Sequence, residues 1–486
     1  LVCIQGKWQR LILAPLSAST MVRAVFFLVS LLCGVLGQKP DVCSAPLGGE
    51  EGKPSEKILA DYEIAQVQVV TRHGARSPYH SLPNQSNPHH FICQLHGEEA
   101  EVANRWPELF RVFHDESHEA VEPQPSLHLG TESDGVTCQP GGLLMEGVKQ
   151  TRAIGTHLRE AYGEFLADLT PSQVYARTET LPRVVLSSVS LLSGLLLGKA
   201  GNIKPAAQQY PVYIIEPDSQ EPMNGLPCAA GEAFKTKADE EYGYPESVLK
   251  RLGRLFGLQD FGPYMKTVDP AIADVTYTAL CDDGDFPCGP GGCVNAVFQQ
   301  ELEGLYNGKW TSQFGEGDGL KGSKLLMYPL IKEVFSLMAS DSRPRFTLFT
   351  GRDLVIGPVA SALGFFDNRW PPFASHIVFE LWQPKGVSSK VESDMRVRVL
   401  FDGADVTSKF GCKNELCPLE VFGAAVEGML DGHTSHAEAC TLTRQRSGLL
   451  KGAAGLTALL VLLVPLFLAT RRSKPSVEAM NQPLLY

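Results

Sequence analysis

A chain of 486 residues in which 44% are hydrophobic has enough apolar side chains for more than one ordinary core, so we expect two lobes. Its net charge of −11 excludes nucleic acid as a partner, because the surface as a whole would repel a polyanion. Basic residues that bind a small anion must therefore be clustered locally.

Residues 21–37 are typical of a secretory signal peptide. The segment begins with Met21, carries a positive Arg23, and continues as an apolar run towards small residues. We expect cleavage near Gly37, and we expect residues 1–20 to be absent from the mature protein. The chain would then fold in the lumen of the secretory pathway or outside the cell.

The next feature is the sequence Arg72-His73-Gly74-Ala75-Arg76-Ser77-Pro78, which follows an apolar, β-rich run. His73 should lie at the carboxyl end of a strand, where open α/β sheets bind ligands. An imidazole can attack phosphorus, and guanidinium groups such as those of Arg72 and Arg76 bind phosphoryl oxygens in bidentate fashion. Gly74 allows a close backbone turn beside the nucleophile. The motif therefore predicts a phosphate-handling nucleophile site.

The middle of the chain alternates between irregular and periodic segments. Residues 80–140 lack a sustained period, and we interpret them as an irregular insertion that covers the site. Residues 143–166 repeat apolar side chains at helical spacing, residues 174–176 form a short strand, and residues 184–197 predict a buried helix. This last helix is too short to span a membrane. Much of the segment 203–322 is assigned to the smaller lobe.

The β pattern returns at residues 346–349, 377–381 and 397–401. A sheet built from both ends of the sequence, with an insertion between them, predicts an α/β domain that carries a cap. The glycine-rich residues 315–322 resemble a phosphate loop only superficially, because no Gly-Lys-Ser/Thr ends the pattern. We interpret them as a flexible connection.

Ten cysteines remain when Cys3 and Cys33 are set aside, and an even number fits an oxidising compartment with up to five disulfides. Asn84-Gln85-Ser86 is a glycosylation sequon in the same part of the chain. Both features agree with a lumenal domain, which we place at residues 44–447.

Closely spaced cysteines and a histidine-rich stretch raise the alternative of a metal site. The cysteines are Cys288 with Cys293 and Cys412 with Cys417, and the histidines are His89, His90 and His96. Neither cysteine pair has a matching second pair at zinc spacing, so disulfides are favoured. The histidines are interpreted as solvated loop residues. The sequence therefore predicts no metal and no cofactor.

Residues 449–469 form an almost uninterrupted apolar stretch that is followed at once by basic residues. This pattern predicts a transmembrane helix with a cytosolic tail at residues 470–486, and hence a type I membrane protein. A signal for a glycosylphosphatidylinositol anchor is the alternative, which the basic tail disfavours. The paired Leu484 and Leu485 hint at sorting, but the Golgi, the lysosome and the cell surface all stay open.

The motif at residues 72–78 resembles the histidine acid phosphatase family, within the phosphoglycerate-mutase-like superfamily, and the likeness covers about residues 62–440. Residues 363–374 are similar to the lysophosphatidic acid phosphatase branch, and residues 379–383 and 402–407 to the 2-phosphoxylose phosphatase branch. The resemblance implies an α/β fold. Its mixed sheet would be flanked by helices and joined by a smaller, mainly helical cap lobe.

The resemblance also implies residue roles. His73 would be the nucleophile that becomes phosphohistidine, while Arg72, Arg76 and Arg177 would hold the phosphoryl oxygens. Asp353 would donate a proton to the leaving oxygen. By position, the family disulfides would be Cys412–Cys417 and Cys228–Cys440.

Arg352 stands where the family has histidine, and this is the main departure from its pattern. The resemblance implies that this histidine contacts the phosphoryl group. An arginine could make the same contact, which makes Arg352 a further phosphate-binding candidate. It could instead pair with Asp353 and keep that acid ionised. Asp353 could also cap a helix, which would not exclude catalysis. Arg177 and Arg183 could be surface charges, and Arg183 could pair with a carboxylate.

These residues lead to the hypothesis of a membrane-anchored lumenal phosphatase that hydrolyses phosphate monoesters at acidic pH. Its substrate could be a lysophospholipid or a phosphorylated sugar on a glycan. The rival hypothesis is an inactive receptor that keeps the fold and binds phosphorylated ligands through Arg72, Arg76 and Arg177, and Arg352 favours it. The sequence leaves the oligomeric state, including a homodimer, open.

Overall fold

The computed structural model describes residues 39–115, 117–122, 138–197, 208–214, 223, 228–266, 270–386 and 392–441, together with two short paired strands, Val2–Ile4 and Lys7–Gln9. The predicted signal peptide (21–37), transmembrane helix (449–469) and cytosolic tail (470–486) lie outside the described residues. Within the described part, no helix combines the length and apolar character that a membrane crossing requires.

A nine-stranded mixed sheet forms the centre of the described chain. Its strands are β1 (Tyr62–Arg72), β2 (Phe110–His114), β3 (Val174–Thr178), β4 (Tyr210–Ile214), β5 (Phe346–Gly351), β6 (His376–Pro384), β7 (Arg396–Phe401), β8 (Ala404–Asp405) and β9 (Cys417–Pro418). Their order across the sheet is β8-β7-β6-β1-β5-β3-β4-β2, and β9 pairs with β7. β5 runs parallel to both β1 and β3, whereas β6 is antiparallel to β1.

The register of the three central parallel strands brings their carboxyl ends to one place on the sheet edge. Arg72 at the end of β1 pairs with Gly351 at the end of β5, and Thr178 at the end of β3 pairs with Thr350. The residue that follows each strand therefore lies at the edge where α/β sheets bind ligands. As predicted, His73 is one of these residues.

Helices cover both faces of the sheet. The longer helices are α1 (Met145–Tyr162), α2 (Pro182–Leu197), α3 (Ala229–Glu240), α4 (Glu246–Phe256), α5 (Ala271–Cys281), α6 (Ala296–Phe314), α7 (Asp318–Ala339), α8 (Asp353–Ala362) and α9 (Leu419–Glu427). The short α-helices are Glu56–Asp61, Glu98–Ala103, Trp106–Leu109, Glu164–Ala167 and His436–Ala439. Single 3₁₀ turns are Asp41–Cys43, Pro171–Gln173, Gly262–Met265, Glu392–Asp394, Thr407–Phe410 and Gly428–Leu430.

The alternation of side chains along β1 divides the core between the two faces. Val67 and Val69 pack with α1 and α2 on one face, and Val70 packs with α7 and α8 on the other. Gly155 and Gly194 lie where the backbones of α1 and α2 touch, so a methyl group at either position would overlap the neighbouring backbone. A third apolar cluster, formed by α4, α5 and α6, makes up the helical cap.

The α/β fold with a mainly helical cap is confirmed, but three segments differ from the sequence expectation. Phe110–His114 and Tyr210–Ile214, which the sequence assigned to the cap insertions, pair as β2 and β4 at one edge of the main sheet. Short strands carry too little periodicity to show which sheet they join. Residues 318–322, which we interpreted as part of a flexible connection, form the first turns of α7.

Five disulfides pair all ten cysteines between residues 39 and 441. The bridges are Cys43–Cys281, Cys93–Cys138, Cys228–Cys440, Cys288–Cys293 and Cys412–Cys417. They include both bridges that the resemblance implied, and they replace the metal alternative for the two closely spaced cysteine pairs. Such a set of bridges fits an oxidising compartment.

Candidate active site

His73 is held in place by the backbone of the two strands beside β1. Its N–H donates to the carbonyl of Gly351 at 3.0 Å, and its carbonyl accepts from the N–H of Ala374 at 3.1 Å. The ring Nδ1 lies 2.8 Å from the carbonyl of Gly74. A carbonyl can only accept, so Nδ1 carries the proton and Nε2 keeps a free lone pair. The buried imidazole is thus fixed in the tautomer of a nucleophile.

Gly74 fits the close approach that the sequence predicted. A Cβ at this position would overlap the backbone of Gly147 in the first turn of α1, and a Cβ at Gly147 would overlap the backbone of Ala75. The N–H of Ala75 also donates to the side-chain oxygen of Gln150 at 2.9 Å. The loop that follows His73 is therefore packed directly on α1.

Arg72 and Asp353 form a buried ion pair beside His73. The Arg72 guanidinium donates to Asp353 Oδ2 at 2.9 Å and also to the carbonyl of Pro371. The indole N–H of Trp370 donates to the same Asp353 oxygen at 2.9 Å, while Oδ1 accepts from the N–H of Leu354. Asp353 begins α8, so it is held by the helix start, the indole and the arginine together.

Arg76 is oriented from the cap by Asp274, a buried residue of α5. Its guanidinium donates to Asp274 Oδ1 at 2.7 Å, and the other carboxylate oxygen accepts from the N–H groups of Tyr79 and His80. One carboxylate thus fixes both the arginine and the chain that follows the motif. Asp274 is a lone aspartate in the apolar run of α5, and it was not among the site residues predicted from the sequence.

Arg183 is the third buried arginine near His73, and it was not among the phosphate ligands predicted from the sequence. It lies in the first turn of α2 and donates to the hydroxyl of Tyr79, whose ring also packs against the guanidinium of Arg76. Burial and then the neighbouring charge of Arg76 lower the pKa of Arg183 to about 10. Crowded, buried cations of this kind are stabilised by an anion. The sequence signal for Arg183 was its place in the segment that resembles the family's third arginine segment, six residues after Arg177.

Arg177 lies in β3 and faces a different set of partners. Its guanidinium binds Glu333 of α7, with distances of 2.8 and 2.6 Å to the two carboxylate oxygens, and its Nε lies 3.2 Å from Asp115. The structure thus brings Arg183, rather than Arg177, to His73.

Arg352 pairs with Glu179 and not with Asp353 as one sequence alternative had it. Arg352 Nε lies 2.6 Å from Glu179 Oε2, and Glu179 is the residue that directly follows β3. The Arg352 side chain is 31% exposed and the Glu179 side chain 3%. Asp353 keeps Arg72 as its ion-pair partner. Glu179 was not predicted from the sequence, because its side chain becomes part of the site only through the pairing of β3 with β5.

The surroundings of His73 and Asp353 lower the pKa of both groups. Burial and the charges of Arg183, Arg72 and Arg76 hold the pKa of His73 well below its usual 6.5, so the imidazole stays neutral in mild acid. Burial would raise the pKa of Asp353, but the Arg72 charge and the Trp370 hydrogen bond outweigh it and the pKa is lowered. The site therefore combines a neutral imidazole with three guanidinium groups and a carboxylate.

The described residues contain one cluster whose side chains are spaced closely enough for a metal ion, formed by Cys228, His436 and Cys440. Both cysteines are joined in a disulfide, so neither can act as a thiolate ligand. This cluster lies on α3 and the final short helix, in the apolar cluster on the α7 and α8 face of the sheet.

Comparison with known proteins identifies the family. The profile of the histidine phosphatase superfamily (branch 2) matches residues 63–402. Human 2-phosphoxylose phosphatase 1 is 25% identical over 396 residues, covering 74% of this chain and 76% of the relative. Bovine lysophosphatidic acid phosphatase type 6 is 25% identical over 402 residues, covering 80% and 88%.

Among solved structures, the phytase from D. castellii aligns with a TM-score of 0.48 and 16% identity, over 82% of this chain and 86% of the phytase. The family profile spans the nucleophile motif, all three arginines around it, and Asp353. The chain therefore belongs to branch 2 of the histidine phosphatase superfamily.

Proposed function

We propose that this protein hydrolyses phosphate monoesters through a phosphohistidine intermediate at His73. The observation that supports the proposal most directly is a neutral imidazole, fixed with its lone pair on Nε2, beside three buried guanidinium groups. Phosphoryl transfer through a loose transition state needs positioning and charge compensation, and these groups supply both. Arg72, Arg76 and Arg183 would hold the phosphoryl oxygens.

The reaction would proceed in two displacements. In the first, Nε2 of His73 attacks phosphorus, the P–O bond to the alcohol breaks, and Asp353 gives its proton to the leaving oxygen. In the second, water attacks the phosphohistidine, the P–N bond breaks, and Asp353 takes a proton from that water. The lowered pKa of Asp353 means that its acid form is populated only in acidic solution. The proposal is therefore an acid phosphatase.

The names of two relatives suggest two candidate substrate classes for this protein. The names of the human and bovine proteins specify a phosphoxylose phosphatase and a lysophosphatidic acid phosphatase. A phosphorylated glycan sugar and a lysophospholipid are thus the two candidates for this chain. Relative kcat/KM values of the full-length protein for a phosphoxyloside and for lysophosphatidic acid would separate them.

A second candidate is a binding protein that retains the phosphate pocket without turnover, and Arg352 in place of histidine favours it. Arg352 forms its ion pair with Glu179 and Asp353 forms its ion pair with Arg72. The lowered pKa of Asp353 comes chiefly from the Arg72 charge and the Trp370 hydrogen bond, and the Arg352 charge adds to it. Arg72, a residue of the proposed phosphate pocket, therefore favours the ionised form of Asp353 over the acid form that donates the proton.

Hydrolysis of para-nitrophenyl phosphate by the full-length protein, measured from acidic to neutral pH, tests the proposal. Wild type should be active in acid, and His73→Ala should be inactive. Turnover by His73→Ala at the wild-type rate would refute the proposed mechanism. An inactive wild type that gains turnover through Arg352→His would establish the binding protein instead.

The location is proposed on sequence and disulfides. We place the domain in the lumen or outside the cell, anchored by residues 449–469, because five disulfides fit an oxidising compartment. Asn84, the proposed glycosylation site, is exposed, although its side-chain nitrogen donates to the carbonyl of Phe256 at 2.8 Å. Loss of apparent mass after glycosidase treatment, absent in Asn84→Gln, would support the assignment.

A further inference from the structure

Glu179 is a buried carboxylate at the site that the proposed reaction does not use. It follows β3 directly, and its N–H donates to the carbonyl of Thr350 in β5 at 3.2 Å. This bond places it at the same sheet edge as His73, which is bonded to the next residue, Gly351. Glu179 therefore lies beside the end of β5, in the short connection between β3 and α2.

The two oxygens of Glu179 have different surroundings. Oε2 lies 2.6 Å from Arg352 Nε. Oε1 is buried without a hydrogen-bond partner among the described residues, and it lies against Gly351, where a Cβ would come within 3.2 Å of it. A side chain at Gly351 would overlap Val355 and would also crowd the Glu179 carboxylate, so the glycine leaves room for both side chains.

A carboxylate here would oppose phosphate binding if it acted alone, because like charges repel in a buried site. The Arg352 charge offsets it at close range, and together the two side chains carry no net charge while both are ionised. The pair thus has the same net charge as a neutral imidazole at this position. The Arg352 side chain is 31% exposed, so solvent reaches part of it.

We infer that Glu179 is the positioning residue of Arg352, holding its guanidinium at the pocket as a ligand of the substrate's phosphoryl group. This inference rests on the proposed function and extends it. An arginine side chain has several rotatable bonds, and a fixed carboxylate partner limits the conformations that it must lose when phosphate binds. Glu179 acts through Arg352 and does not itself contact the phosphoryl group.

A double-mutant cycle tests the inference through binding of inorganic phosphate, measured by calorimetry on the full-length protein. We expect Glu179→Gln to raise the Kd for phosphate by roughly tenfold, within the range for coupled members of one ion pair. In an Arg352→Ala background, where the unpaired carboxylate repels phosphate, the same change should leave the Kd unchanged or lower it. Equal effects of Glu179→Gln in both backgrounds would overturn the inference, and so would tighter phosphate binding by the single variant.

Kinetics and a control variant separate positioning from a structural role. Loss of a phosphate contact made equally in ground and transition states should raise KM more than it lowers kcat. Glu179→Asp, which keeps the charge at a shorter reach, should give an intermediate KM.

The control is Glu333→Gln, since Glu333 is a partly buried carboxylate that pairs with Arg177. It should lower stability without a change in phosphate Kd, whereas an equal change in Kd would count against a specific role for Glu179.

Phosphate binding also distinguishes failure of the inference from failure of the proposed function. If wild type binds phosphate but does not turn over substrate, the cycle on Kd still reports on Glu179 and Arg352. If wild type turns over substrate and the cycle is additive, the phosphatase proposal stands and the inference is wrong.

Discussion

Truncation of Arg183 should lower turnover and change stability little, whereas truncation of Arg177 should lower stability and change turnover little. The two residues stand only six positions apart in one segment. Arg183→Ala removes a guanidinium that lies with Arg76 and Tyr79 at the nucleophile. Loss of one preorganised donor to the transition state typically lowers kcat by about 10²- to 10³-fold. We expect a decrease of that size, with a small change in stability because the buried cations then repel one another less.

Arg177→Ala instead leaves two carboxylates without their cation. Breaking a buried ion pair by removing one partner costs about 3–5 kcal/mol. Glu333 and Asp115 are 25% and 15% exposed, so water offsets part of this, and we expect a loss of about 2–3 kcal/mol. Turnover by the folded variant should stay close to that of wild type.

Steady-state hydrolysis of para-nitrophenyl phosphate and urea denaturation of the two purified variants measure both quantities. Our reasoning predicts a slow, stable Arg183→Ala and an active, less stable Arg177→Ala. An inactive Arg177→Ala of wild-type stability, beside an active Arg183→Ala, would refute the placement of the phosphate pocket.

Two further predictions concern protonation. Because the folded pKa of His73 is lowered, the unfolded chain binds more protons than the folded one below pH 6.5, and this term reduces stability as the pH falls. His73→Asn should therefore gain stability relative to wild type as the pH is lowered through that range in urea denaturation, and a relative loss would contradict a neutral buried imidazole. Asp353→Asn should lower kcat by about 10²- to 10⁴-fold for an alkyl phosphate and much less for para-nitrophenyl phosphate, whose leaving group needs little protonation. Equal losses on both substrates would rule out Asp353 as the proton donor.

Local sequence patterns predicted the parts of the site that lie on one strand and its following loop. The apolar run before Arg72 and the run before Arg352 indicated strands that end in polar residues, and β1 and β5 end there. Residues next to a strand end keep that position in any α/β sheet, so His73 and Asp353 could be placed without knowing the neighbours.

The sequence did not show whether Arg177 or Arg183 lies beside His73, because this depends on the direction in which each side chain points. Arg177 and Tyr175 are two residues apart in β3, so both side chains lie on one face of the sheet, where both contact Glu333. Arg183 lies in the first turn of α2, and its guanidinium contacts Tyr79 in the segment that follows His73. The partners Asp274 and Glu179 come from elements far apart in sequence, and only the tertiary fold brings them to the site.

Trapping the covalent intermediate tests the central claim most directly. The full-length protein would be mixed with radiolabelled para-nitrophenyl phosphate, quenched within one turnover in alkali, in which phosphohistidine is stable, and digested for peptide mapping. We predict acid-labile label on the peptide that contains His73, and no label in His73→Ala. Rapid turnover without any trapped label, or label on another residue, would contradict a phosphohistidine mechanism at His73.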